Sequence, residues 1–205
     1  QVNAEGVAYL AMVTAGLKAK LVHISTDYVF DGQKQTPYLP DDLQRPINIY
    51  GESKLAGELN TDINPDNLVI RTQWLYGHHG SNFVETIIRV AKERGTVAVV
   101  DDQFGTPTWT VDLCQGIMAL VDAGQCGVFH CVNGGSTSWY GFAEEILRQT
   151  AIPCTLSRQS SADLQRPARR PAHAVLDTSS LTEATGYTPP PWQESLERYL
   201  AMRAD

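Results

Sequence analysis

Short apolar, β-branched runs alternate along this chain with stretches of helical periodicity, and that alternation leaves few folds open. The runs lie at residues 20–25, 67–71, 96–100 and 128–132, with helical patterns at 48–61, 82–94 and 110–122 between them. A strand covered on both faces reads as a continuous apolar run, and a helix between two such strands is the crossover a parallel pair needs. The pattern predicts an α/β fold on a mainly parallel sheet. Punctuation agrees: Ser81 or Asn82 can cap the helix that Gly95 ends, and Thr110, with Asp112 in the first turn, can cap the next. An earlier helical pattern (Val7, Leu10, Ala11, Leu17) begins almost at Gln1, which predicts that the chain starts inside a fold. Beyond Asp101 the rhythm loosens. A Gly-Thr-Pro-Thr loop at 105–108, a Gly-Gly pair at 134–135, a helix at 138–149, a Pro-rich loop at 151–178 with one strand at 154–157, and a last helix from 192 to about 202 predict a smaller second lobe.

Composition narrows the function. The 205 residues are 42% hydrophobic and 19% charged, an ordinary folded balance, with a net charge of −7 and a pI of about 5.2. The 16 basic residues are scattered, with only Arg169 and Arg170 adjacent, which excludes a surface that tracks a nucleic-acid backbone. An anionic ligand needs a local basic pocket instead. Cys114, Cys126, Cys131 and Cys154 form no C-x-x-C pair and are read as reduced, buried thiols of a cytoplasmic protein. His78, His79 and His130 have no carboxylate or Cys cluster beside them, so no metal site is expected. The most apolar stretch, 7–17, is far short of the roughly 20 residues that span a bilayer, and no signal peptide precedes it, so no membrane association is expected.

The sharpest chemical signal is Tyr50-Gly-Glu-Ser-Lys54. Four residues apart on a helix, the two side chains lie on one face, one turn apart. An ammonium beside a phenol favours the phenolate and brings the tyrosine toward use as a general acid. Alone the pair is weak, and an exposed Tyr and Lys on a surface helix would read the same. What strengthens it is Ile24-Ser25-Thr26-Asp27-Tyr28-Val29-Phe30, a strand end 24 residues before Tyr50. Parallel strands deliver their C-terminal residues to the crevice where ligands bind. A hydroxyl there can hold a carbonyl while the tyrosine protonates it. The plainer reading of Ser25 and Thr26 is local turn capping.

With these motifs in hand, the sequence resembles the extended short-chain dehydrogenase/reductases, and within them the dTDP-4-dehydrorhamnose reductase branch. The likeness runs over almost the whole chain. It rests on Val2-Asn-Ala-Glu-Gly6, His23-Ile-Ser-Thr-Asp-Tyr-Val-Phe-Asp-Gly32, Tyr50-Gly-x-Ser-Lys-Leu-Ala-Gly-Glu58, Arg71-Thr-x-Trp-Leu-Tyr-Gly77, Asp102-Gln-Phe-Gly-Thr-Pro-Thr108, Ser138-Trp-Tyr-Gly-Phe-Ala143 and Arg170-Pro171. The resemblance implies a Rossmann-like sheet, N-terminally incomplete, with residues 1–100 as the remaining NADP-binding part. Residues 101–205 are then mainly a substrate-binding lobe, with some exchange of chain. It implies Thr26, Tyr50 and Lys54 as catalytic residues, and Asn3, Ser25, Tyr50 and Lys54 on the cofactor side. Asp27, Tyr28, Trp74, Asn82, Gln103, Phe104 and Arg170 fall on the side of the substrate. The implied reaction is NADPH-dependent reduction of the C4 ketone of a dTDP-6-deoxy-hexos-4-ulose to dTDP-L-rhamnose. The likeness also allows NADH in place of NADPH, a Mg2+ ion and a homodimer.

The sequence departs from the family pattern in three places. Ala174 stands where a serine is frequent and Ser180 where a lysine is common. At the front, no Gly-x-x-Gly-x-x-Gly follows a first strand, and Gly134-Gly135 lacks that spacing. The resemblance therefore places three to four strands, on the order of 90–100 residues, before Gln1. It predicts that these 205 residues alone bind NADPH poorly. Two other functions stay open: a different sugar-nucleotide reductase or epimerase on the same scaffold, and a non-catalytic regulatory subunit like that of methionine adenosyltransferase.

Overall fold

The computed structural model describes residues 1–164 and 167–203. Its elements, in chain order, are α1 (Glu5–Gly16), β1 (Val22–Thr26), a 3-10 turn (Asp27–Val29), α2 (Ile49–Thr61), β2 (Leu68–Thr72), β3 (Leu75–Tyr76), α3 (Phe83–Arg94), β4 (Thr96–Val100) and β5 (Phe104–Gly105). Then follow β6 (Thr108–Trp109), α4 (Thr110–Asp122), β7 (Gly127–His130), β8 (Thr137–Ser138), α5 (Trp139–Thr150), β9 (Thr155–Gln159), a second 3-10 turn (Ser161–Leu164), α6 (Ser179–Thr185) and α7 (Trp192–Met202).

The apolar runs pair as their composition demands. β1, β2 and β7 form a parallel sheet in the order β1-β2-β7, with Thr26 opposite Thr72 and Arg71 opposite His130 at the C-terminal edge. β2 is buried along its whole length, the fate of an apolar run inside a parallel sheet. Leu68 and Ile70 pack with Leu113 and Leu120 of α4 and Leu181 of α6, each such side chain contributing about 1.5–3 kcal/mol. α2 packs on β1 and carries α1 on its own flank. Residues 96–100 form β4 and pair in parallel with β9, in a separate two-stranded sheet. Tyr76, Ile87, Ile88, Val99, Phe142, Trp192, Leu196 and Tyr199 make the core of that half, under α3, α5 and α7. Two buried polar knots tie the layers. Glu58 of α2 holds Arg71 of β2 through two hydrogen bonds of 2.9 and 2.7 Å. Asp112 of α4 accepts from Asn133, Ser195 and Arg198.

Several local expectations need correction. Thr110 does not cap α4. The N-cap position is Trp109, without a side-chain cap, because β6 runs straight into the helix and the Trp109 N–H is taken by Asn133 at 2.9 Å. α6 forms in a stretch for which no element is predicted. Its Ser and Thr residues favour turns and caps, yet burial of Leu181 under the sheet holds two turns of helix. α1 buries Val7 and Ala11 but leaves Leu10 and Leu17 exposed. All four cysteines are free, as expected, but only Cys131 is buried, while Cys114 and Cys126 are exposed. Among the described residues no helix is long and apolar enough to cross a membrane.

Candidate active site

The site is built at the C-terminal edge of β1. Thr26, its last residue, accepts the Tyr28 N–H at 3.3 Å and so caps the 3-10 turn, while its hydroxyl donates to Asp27 Oδ1 at 2.9 Å. Asp27 is 3% exposed. Burial pushes its carboxyl up to about 7, against the hydrogen bond from Thr26 and the charge of Arg170, which pull it down. Ser25, one residue back, donates to Glu58 in the Glu58–Arg71 knot, so its hydroxyl braces α2 against the sheet.

Helix α2 brings the Tyr and Lys to this edge. Asn48 caps it, accepting the Gly51 N–H at 2.9 Å and donating through Nδ2 to the Arg169 carbonyl at 2.8 Å. Gly51 permits the close approach: a Cβ there would stand 2.2 Å from the Tyr28 carbonyl oxygen. Tyr28 and Tyr50 meet edge to face at 5.4 Å between ring centres. One turn on, Lys54 donates to the Ile24 carbonyl, and burial lowers its pKa, partly offset by Glu58. Asn3 reaches this helix from behind, donating to Ser53 at 3.0 Å, and Ser53 donates to the Tyr50 carbonyl at 2.8 Å.

The opposite wall comes from the end of β2. Trp74 has φ +47°, a left-handed backbone that costs a bulky residue about 1–3 kcal/mol. The β3–β6 pairing that follows and the Thr108 N–H on its carbonyl at 3.2 Å hold it there. Its indole stacks on Trp139 at 3.7 Å with Phe83 behind Trp139. Gly105 leaves room for it, since a Cβ there would come within 2.7 Å of the Trp74 ring and 2.5 Å of Gln73 Oε1. Thr72 and Gln73, each 3% exposed, carry buried hydroxyl and amide atoms without a hydrogen-bond partner. Between the walls lies a cavity of about 1000 Å³, at the upper end of ligand-pocket size, lined by both walls and by residues 167–170. Thr26, Asp27, Tyr28, Tyr50, Lys54, Trp74 and Arg170 all line it.

A wall of Ser-Thr-Asp-Tyr, a Tyr and Lys one turn apart and a strained Trp is a specific arrangement. The sequence profile described as RmlD substrate binding domain matches residues 1–204. The chain belongs to this family. A dTDP-4-keto-6-deoxy-D-glucose reductase of Streptomyces niveus is 44% identical over 191 residues, covering 92% of the chain and 66% of that relative. A dTDP-4-dehydrorhamnose reductase of Burkholderia thailandensis is 40% identical over 210 residues, covering 94% of the chain and 70% of that relative. The crystal structure of dTDP-4-dehydrorhamnose reductase from Bacillus anthracis in complex with NADP superposes with a TM-score of 0.95 at 38% identity, over 98% of this chain and 72% of that one. That superposition makes the sheet Rossmann-like, as the motifs implied.

In this RmlD-family chain the remaining sequence candidates sit elsewhere. Asn82 caps α3, accepting the Glu85 N–H at 3.1 Å and donating to the Gly77 carbonyl at 2.9 Å, away from the cavity lining. Gln103 donates to Ser161 at 2.6 Å, and the Phe104 backbone is tied to Ala172 and Ala174. Neither lines the cavity. Asn3 does not line it either, and is linked to the Tyr50 backbone through Ser53. Sequence reading missed Asn48, Thr72, Gln73, Trp139 and Arg169. Trp139 stood inside a quoted motif, but nothing local to it signals a partner 65 positions earlier. The unsatisfied amide of Gln73 has no sequence signature at all. Among the described residues no group of three or more His, Cys, Asp or Glu gathers to hold a metal, so the Mg2+ that the resemblance allows has no support.

Proposed function

We propose that this chain carries out the NADPH-dependent reduction of the C4 ketone of dTDP-4-dehydro-6-deoxy-L-mannose to dTDP-L-rhamnose. The observation that carries this reading is one cavity lined at once by Thr26, Tyr50 and Lys54 and by the aromatic wall of Trp74 and Trp139. Tyr50 gives its proton to the oxygen at C4, and Thr26 stands at the strand end to hydrogen-bond that oxygen. Lys54 has three donors, one of them spent on Ile24, and its remaining donors fit ribose hydroxyls. NADPH, when bound, supplies the hydride to C4. The flat indole of Trp74 suits the apolar face of the sugar around its C5 methyl, and Arg169 and Arg170 at the rim suit the pyrophosphate. In this reading residues 1–100 form most of the cofactor side and 101–205 most of the substrate lobe. β7 joins the first sheet, and β4 pairs with β9 of the second.

The name of the Streptomyces niveus relative favours a second reading, reduction of the D-gluco 4-ketose. One assay separates them. A polypeptide that joins these residues to the N-terminal part the family pattern places before Gln1 is given NADPH and each dTDP-4-keto-6-deoxyhexose in turn, with NADPH loss followed by absorbance and the product by NMR. Stoichiometric NADPH oxidation with appearance of dTDP-L-rhamnose is the expected result. Turnover only of the D-gluco ketose moves the assignment to the second reading, and isomerisation without net NADPH loss replaces both by an epimerase.

A further inference from the structure

Thr26 can help the reaction only if its hydroxyl proton is free to point at the substrate, and in the structure that proton is engaged. A threonine hydroxyl has one proton and two acceptor lone pairs. One lone pair takes the Tyr28 N–H and the proton goes to Asp27 Oδ1. With Asp27 ionised, and therefore acceptor-only, Thr26 offers the ketone oxygen nothing but a lone pair, which repels the negative charge that develops there. We infer that Asp27 is a positioning residue whose neutral carboxyl donates to Thr26 and so frees the Thr26 proton for the substrate's C4 oxygen. The inference rests on the reductase reading above. In the neutral arrangement every valence of Thr26 is used: it accepts from Tyr28 and from Asp27, and donates to the substrate. No net proton moves along this pair, because Asp27 keeps its own and the proton that ends on the C4 oxygen comes from Tyr50.

The surroundings make the neutral form available. Asp27 is almost fully buried, and burial is the largest influence on it. Thr26 and the Tyr28 N–H lie against it, and Tyr50 and Lys54 of α2 with Arg169 and Arg170 of the rim line the same cavity. Of these charges, that of Arg170 holds the carboxyl down. The balance sets its pKa at about 7, so both forms are populated near neutral pH.

The test pairs a pH–rate profile with a carbon-13 NMR titration of labelled aspartate, with the Asp27 signal identified by its loss in Asp27→Asn. The expected kcat falls as pH rises through the Asp27 titration at about 7, and Thr26→Ser keeps that limb. Asp27→Asn, which carries a permanent donor, loses the limb. Thr26→Val also loses it, and moves the Asp27 titration to higher pH because the ionised carboxyl loses a donor; Thr26→Ala serves where valine does not fold. A limb that persists in Asp27→Asn or Thr26→Val overturns the inference, as does an Asp27 that titrates in the ordinary range near 4. If no ketose is turned over, the reductase reading fails by itself. The NMR arm still decides the coupling, and an Asp27 titration unmoved by Thr26→Val defeats it.

Discussion

Tyr50 and Trp74 face the same cavity with different work, and their variants should separate. In a full-length version that includes the N-terminal part, Tyr50→Phe removes a proton and little else, so kcat should fall by about 10²–10⁴ while NADPH affinity, read by fluorescence titration, stays within error. A variant that keeps more than about a tenth of kcat takes Tyr50 out of the mechanism. Trp74→Ala removes a wall. The aromatic contact is worth on the order of 1 kcal/mol beyond its area, so the dTDP-sugar should bind several-fold more weakly and free dTDP equally well. Calorimetry on both ligands checks this, and equal losses would make Trp74 a core residue only. Gly105→Ala should act in the same direction, because its methyl would displace the Trp74 ring and the Gln73 amide.

Helix α2 is placed by its first turn. Gly51→Ala would drive a methyl into the Tyr28 carbonyl and lift that turn from the 3-10 turn. The expected cost is about 1–3 kcal/mol, the usual price of overpacking, read as a lower urea midpoint at unchanged slope. Activity should fall further than stability explains, since Tyr50 moves with the helix. α3 gives the contrast. Asn82→Ala should cost about 1 kcal/mol through loss of the cap and leave KM for the dTDP-sugar unchanged. A rise in KM with full stability would return Asn82 to the substrate. The strand runs, the Asn82 cap and the Gly95 stop were all legible, because each is local chemistry. α6 and the uncapped start of α4 were not, because burial and a distant Asn133 override local preference there.

Over the whole molecule, two buried histidines and one buried aspartate set the response to acid. His23 is lowered to about 4 and His130 to about 3, both mainly by burial, with Lys54 and Arg71 as second causes. Their unfolded value is near 6.5, so between about 4 and 6.5 the unfolded chain holds two more protons at these sites and stability is lost as pH falls. Asp27 works the other way: raised to about 7, it is protonated in the fold and ionised when unfolded over that window. Two protons against one leave a net uptake of one on unfolding, a loss of about 1.4 kcal/mol per pH unit of acidification. Urea unfolding at a series of pH values checks it, and His130→Gln should flatten the slope. What the sequence determined alone was the periodic and the local: an α/β sheet, a Tyr and Lys sharing one helix face, a hydroxyl pair at a strand end. Only the tertiary structure decided what depends on distance through space. It stacked Trp139 on Trp74, left the Gln73 amide unpaired, carried Arg169 and Arg170 to the rim, set Asn82 and Gln103 apart from the cavity lining, and buried Asp27 against Thr26, because burial and close approach are properties of neighbours that no stretch of sequence contains.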